Sequence, residues 1–133
     1  MHASEPVDSL TERIIGCAIE VHRELGPGLL ESIYRKSLEI ELSEQGLKVD
    51  KNKPIDLKYR GREIGPALVF DLQVENRIIV EVKAVERLHP VHLAQVMTYL
   101  KLTGCDAGLL LNFNVTALRA GVRRLTHPDL YSR

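Results

Sequence analysis

A chain of 133 residues, 44% of them hydrophobic, has enough apolar material for one core and reads as a single domain over residues 1–133, with its core from about 10 to 124. Eighteen acids balance eighteen Lys and Arg, so net charge gives no sign of a polyanion partner, and no apolar run approaches the roughly 20 residues that cross a bilayer. The N-terminal MHASEPVDSL lacks the apolar stretch of a signal peptide, and Cys17 and Cys105 form no CxxC pair, so a soluble cytoplasmic protein with two reduced thiols and no membrane partner is expected.

In chain order, Ser9-Leu10-Thr11-Glu12 has the spacing of a capping box, with Ser9 as the N-cap. Ile14, Ile15, Ala18, Ile19, Val21, His22 and Leu25 then recur at helical spacing until Gly26 ends the first helix. After the Gly26-Pro27-Gly28 corner, Leu30, Ile33, Tyr34, Leu38 and Leu42 trace a second helix over about 29–45. Between Leu47 and Val85 the period changes to two, with turn signals at Asn52–Pro54, Gly61, Gly65-Pro66 and Asn76, which predicts three antiparallel strands or slightly more. Pro90 opens a third helix to Leu102, closed by Gly104, and GLLLNF at 108–113 is an apolar strand fit for a sheet interior. The tail has room for one short element. The order ααβββαβ predicts an α+β (mixed α/β) fold, with a mainly antiparallel mixed sheet flanked by helices.

Two neighbouring strands hold the chemistry. Along IIVEVKAV, Glu81 and Lys83 share a face while Val80 and Val82 share the other; along ALVFDLQV, Phe70, Leu72 and Val74 oppose Asp71 and Gln73. If the two strands form a hairpin with both apolar faces in one core, parity places Asp71 opposite Glu81 and demands an odd loop, Glu75-Asn76-Arg77. Two carboxylates and an ammonium group then gather. One reading makes them a solvated, ion-paired sheet face. The other is a site for a hard divalent cation, Mg²⁺ or Mn²⁺, with lysine facing developing negative charge.

Charge is unevenly spread: residues 1–45 hold nine acids and four bases, the remainder nine acids and fourteen bases. Lys58, Arg60 and Arg62, then Arg119, Arg123 and Arg124, are the candidates for a polyanion path, although scattered bases commonly serve solubility alone. Gln95 and Tyr99 are four apart on the third helix, sharing a face with Val91 and Leu102, and a glutamine on an apolar helix face demands a partner. His22, His89 and His92 fit no zinc spacing.

Gly28-Leu29-Leu30-Glu31-Ser32-Ile33-Tyr34 reads G-x-x-E-x-x-Y, and Val21 to Tyr34, VHRELGPGLLESIY, resembles the signature of the GxxExxY protein family, placed in the PD-(D/E)xK nuclease-like superfamily. Asp71 followed by Glu81-Val82-Lys83 matches the superfamily's D…E-x-K, and Gln95 to Tyr99 looks like the Q-x-x-x-Y of its helicase-associated branch. The resemblance implies a Mg²⁺- or Mn²⁺-dependent nuclease acting on nucleic acid, DNA foremost, and a homodimer. Asp71, Glu81 and the Val82 backbone carbonyl would hold the metal, and Glu31 would reach it through water or hold a second ion. Lys83 would position the attacking water and offset phosphate charge, and Gln95 would orient the nucleophile. Tyr99, Tyr34 and Gly28 would be supporting residues. The alternatives are a catalytically silent module that binds nucleic acid or a partner, and a dimerisation protein with an ordinary charged sheet face.

Overall fold

The computed structural model describes residues 5–126. The chain runs α1 Val7–Leu25, α2 Glu31–Glu44, β1 Val49–Tyr59, β2 Arg62–Val74, β3 Ile78–Lys83, α3 Pro90–Thr103, β4 Ala107–Asn112, a 3₁₀ turn Leu118–Gly121 and β5 Val122–Thr126. The expected ααβββαβ order is present, and the tail adds β5. The strands form one sheet in the order β1-β2-β3-β4-β5, antiparallel except for the parallel β3–β4 pair that α3 connects. This is the mixed α+β architecture anticipated from periodicity. No helix among the described residues is long and apolar enough to cross a membrane.

α1 buries Leu10, Ile14, Ala18 and Val21 against the sheet. Its start differs from the expected capping box: the N-cap is Pro6, and Ser9 lies inside the first turn, donating from Oγ to Glu5 Oε2 at 2.7 Å. A proline at φ −56° already has a backbone suited to helix entry and has no N–H to leave unsatisfied, so the helix begins two residues before Ser9.

The corner between α1 and α2 needs Gly26 at φ 71° and Gly28 at φ 98°. Tyr34 fastens it. The buried hydroxyl donates to Gly26 O at 2.5 Å and accepts from the Leu29 N–H at 3.0 Å, while the ring stacks on Phe113 with centroids 4.6 Å apart. Tyr34 thus ties the entry of α2, which starts at Glu31, to the strand end that follows β4.

β1 and β2 pair over nearly their whole lengths through the two-residue loop Arg60-Gly61, where φ values of 51° and 79° give the twist that hairpin loops favour. Asn52–Pro54 and Gly65-Pro66, expected as turns, lie inside these strands. β1 is the sheet's edge, so Pro54 removes no ladder bond that the sheet needs, and Asn52 tolerates φ 49°. At Gly65-Pro66 the chain bulges rather than turns: Ala67 and Ile64 are extra residues on β2, and the register shifts past each.

The single core expected from alternation is instead two, one on each face of the sheet. Leu72, Val74, Ile78, Val80 and Val82 pack with α1 and α2, whereas Ile79 joins Tyr99 and Leu100 of α3. Phe70, expected beside Leu72 and Val74, lies with Ile79 and meets Tyr99 edge-on, with centroids 6.3 Å apart. The change of face falls where β1 is irregular at Asn52. Covering both faces explains why β4 is buried along all six of its residues.

Tyr34→Phe removes the two hydroxyl contacts of the corner and keeps the ring stack. A loss of about 1–3 kcal/mol in unfolding free energy is expected from denaturant titration, and a loss under about 0.5 kcal/mol would mean the corner holds without them.

Candidate active site

β2 and β3 separate at the site. Their ladder pairs Val74 with Ile78, Gln73 with Ile79 and Leu72 with Val80 across the three-residue loop Glu75-Asn76-Arg77, as parity requires. The same register sets Asp71 opposite Glu81, but the ladder stops one step short, and from Glu81 onward β3 pairs only with β4. Backbone N–H groups freed at such a fork need acceptors. The carboxylates supply them: the Asp71 N–H donates to Glu81 Oε1 at 3.0 Å, and the Val82 N–H donates to Asp71 Oδ2 at 2.9 Å. Each acid is therefore held in place by the other strand's backbone.

Glu81 is only 6% exposed, on the α3 side of the sheet. Burial and then the neighbouring Asp71 charge push its carboxyl up to about 8, against the opposing pull of the Asp71 N–H and the Lys83 charge. The ion-paired sheet face is not what forms: Lys83, half-buried at the end of β3, makes no salt bridge to either acid among the described residues. The buried Glu81 and the part-buried Asp71 are thus two acids side by side with no salt-bridged base among the described residues.

Tyr99 lies within reach of both acids. Burial, Glu81 and Asp71 raise its hydroxyl to about 12, and it donates to Val69 O at 3.1 Å. Gln95, one turn earlier on α3, is exposed, so the expectation that it sits on an apolar face and must find a partner inside the fold does not hold. Val91, expected on that face, is 60% exposed. The helix buries the neighbouring stripe of Val96, Tyr99 and Leu100 instead. Glu31 opens α2, half-buried, and is not gathered with Asp71 and Glu81: no three His, Cys, Asp or Glu among the described residues are placed to hold a metal ion together.

Near the site, Asn112 is not singled out by the sequence, and His92, which fits no zinc spacing, lies close by. Asn112, in register with Lys83, is 3% exposed and clamps the segment after it, donating from Nδ2 to Val85 O at 2.9 Å and accepting from the Val85 N–H at 3.0 Å. The signal was a polar residue ending an otherwise apolar strand. His92 takes the His89 N–H on Nδ1 at 3.1 Å; burial, then the charges of Lys83 and His89, lower its pKa, and Glu31 opposes them. With Val85, Glu86, Arg87 and His89 it lines a cleft of about 420 Å³.

The basic candidates separate into two groups. Arg119 pairs with Glu12 at 3.3 Å, Arg124 pairs with Asp8, and Arg123 donates to Ala120 O and Val122 O at 3.1 and 2.9 Å. Lys58, Arg60 and Arg62 are exposed on the β1–β2 hairpin and form no salt bridge among the described residues.

A family model described as the PD-(D/E)XK nuclease superfamily matches residues 8–125. The chain belongs to the PD-(D/E)XK nuclease superfamily. No curated protein and no solved structure matches it. Asp71, Glu81 and Lys83, which the sequence spacing D…E-x-K singles out, are the residues at the fork.

In this PD-(D/E)XK protein stripped of divalent cations, folded Glu81 keeps its proton up to about pH 8, whereas the unfolded chain releases it near 4.5. The folded state binds the extra proton between these values, so this contribution to stability is complete below about pH 4.5 and is lost as pH rises through about 8. The thermal midpoint in EDTA should fall across that window, and Glu81→Gln should flatten the fall. An identical slope in the variant would show that Glu81 does not hold the proton.

Proposed function

We propose that this protein is a divalent-metal-dependent nuclease that hydrolyses phosphodiester bonds of nucleic acid, DNA foremost, with Mg²⁺ or Mn²⁺ as cofactor. The observation behind this reading is the pair of fork carboxyl groups, joined through backbone N–H groups and without a salt-bridged base among the described residues. The donor set suits the ion: hard carboxylate oxygens from Asp71 and Glu81, with the Val82 carbonyl as a third donor, leave positions for water and a phosphate oxygen. When bound, the ion would polarise the scissile phosphate and lower the pKa of attacking water.

The chain's own residues divide the remaining work. Asp71 and Glu81 hold the cation, and the backbone contacts that fix them limit their reorganisation during turnover. Lys83 sets its ammonium beside the reacting phosphate, orients the nucleophilic water and offsets charge developing on phosphorus. Asn112 keeps the chain after Lys83 in place. Tyr99, whose proton is retained at neutral pH, supports the acids rather than exchanging protons. Gln95, exposed on the same helix one turn away, reaches toward water or substrate. Glu31, whose charge acts on His92 in opposition to that of Lys83, takes a supporting role through water or a second ion. Gly28 and Tyr34 shape the turn that presents Glu31.

The G-x-x-E-x-x-Y run from Gly28 to Tyr34 supports a narrower placement in the GxxExxY family. A homodimer accords with the apolar side chains left outside: Leu30 is 74% and Ile40 60% exposed along α2. A catalytically silent module that binds nucleic acid or a partner is the second reading. It is favoured by one observation, that Glu31 does not complete a three-ligand cluster.

Single-stranded, duplex and branched DNA, with RNA alongside, incubated with Mg²⁺ or Mn²⁺ should include a substrate that is cleaved, with Lys83→Ala reducing the rate by about 100-fold or more. Unchanged cleavage in that variant would assign the activity to a contaminant. In calorimetry, Mn²⁺ should bind the wild type and lose its heat in Asp71→Ala; equal weak heats would remove the enzyme reading.

A further inference from the structure

The β1–β2 hairpin runs past the two cores, and its end combines features that solubility alone does not need. Tyr59, the last residue before the Arg60-Gly61 loop, is 58% exposed. The Arg60 guanidinium lies over its ring, 5.2 Å from the centroid. From Lys48 to Arg62 six bases outnumber two acids, Asp50 and Asp56, and Glu63 adds a third acid opposite Lys58. Of those bases Lys51 is paired with Glu39, while Lys58, Arg60 and Arg62 at the end have no salt bridge among the described residues. The three arginines near the C-terminal strand are engaged with α1 or with local carbonyls, so of the two basic groups the hairpin is the one whose end bases have no salt bridge among the described residues.

Face and distance connect this end to the fork. The extra residues at both register shifts lie on β2, so alternation along β1 beyond Asn52 is unbroken and Ile55, Leu57 and Tyr59 share a face. Ile55 packs with Ile79, Tyr99 and Leu100, which sets that face on the α3 side with Glu81. Asn52 lies between the pairs Lys51–Leu72 and Lys53–Phe70, level with Asp71. Seven residues of strand from there to Tyr59 span about 20–23 Å.

We propose that Tyr59 stacks on an unpaired nucleobase of the substrate, about 20–23 Å along the strand from the fork, while Lys58, Arg60 and Arg62 hold the adjoining phosphates. This deepens the nuclease reading and rests on its nucleic-acid partner. The chemistry favours single-stranded nucleic acid over intact duplex, because every unpaired base offers a π face to an exposed aromatic and a paired base does not. A guanidinium already over the ring adds a cation–π contact. A second copy of the chain fits less well: the outer strand's Lys51, Lys53 and Lys58, and its Pro54, oppose strand-to-strand pairing.

The test is binding in EDTA, read by fluorescence anisotropy of labelled single-stranded DNA and of duplex of the same length, so that it does not depend on cleavage. Tyr59→Ala is expected to weaken single-strand binding by about 5- to 100-fold, with Tyr59→Phe close to wild type and duplex binding little changed. Arg60→Ala and Arg62→Ala should weaken both substrates and reduce the salt dependence, which Tyr59→Ala should leave as it was. Unchanged melting temperatures would confirm that the exposed variants fold. Single-strand binding within twofold of wild type in Tyr59→Ala, equal losses for the Phe and Ala variants, or loss of a dimer in sedimentation would each overturn the stacking role. Cleavage that fails while these binding differences persist would defeat the nuclease reading alone.

Discussion

The fork between β2 and β3 is the constraint on which the site depends. A continued ladder would consume the Asp71 and Val82 N–H groups in strand pairing and would leave no backbone donors for the acids. Because the strands diverge immediately after the Leu72–Val80 pair, each freed donor takes a carboxylate from across the gap. That exchange is inexpensive in hydrogen bonds, since charge-assisted contacts replace ladder contacts. Its electrostatic cost is larger, because Glu81 is brought out of water beside a second acid. The fold therefore keeps a buried carboxyl beside a part-buried one, a pair that a cation would stabilise.

Several distant features keep that gap the right shape. Parallel pairing with β4 supports β3 after β2 has departed, and Asn112 extends the support past Lys83 by bonding both backbone groups of Val85. On the far side, Tyr99 reaches the carbonyl of Val69 on β2 while its ring meets Phe70, so α3 holds the departing strand as well. Gly121 shows how close the packing is: a Cβ there would lie 2.1 Å from Asn112 O. The 3₁₀ turn before β5 is thereby pressed onto the residue that fixes the end of the lysine strand.

Alternation made much of this legible in the sequence. The two-residue period along Phe70–Val74 and Ile78–Lys83 was enough to require a three-residue loop and to place Asp71 level with Glu81, and both are present. Period says nothing of what covers a face, so the second core against α3 went unforeseen, as did the transfer of Phe70 to it. Turn chemistry misled at Asn52–Pro54 and Gly65-Pro66 because the same residues serve bulges and edge strands, and only pairing partners distinguish the two uses. Gln95 misled differently. Helical spacing puts it with Val91 and Leu102, but the stripe that meets the sheet is one position over, which spacing alone cannot select when most of a helix is apolar. Asn112 was hidden by its neighbours, since its two contacts with Val85 depend on the loop after β3.

The placement of bases follows from the same geometry. Arg119 of the 3₁₀ turn and Arg124 of β5 pair with Glu12 and Asp8 of α1, so the charge of these two bases is answered within the fold. The hairpin has no such neighbour. It extends from the edge of the sheet, its two bulges add twist, and its residues beyond Ile55 meet little but solvent. A charge there is answered only by water and salt, and is therefore free to meet a phosphate by releasing a counterion. The fork's acids, Glu81 buried and Asp71 part-buried, oppose the same phosphates unless a cation is bound between them. Attraction at the hairpin and conditional repulsion at the fork make docking and chemistry separable: nucleic acid can be held at the edge of the sheet whether or not the centre is charged for reaction.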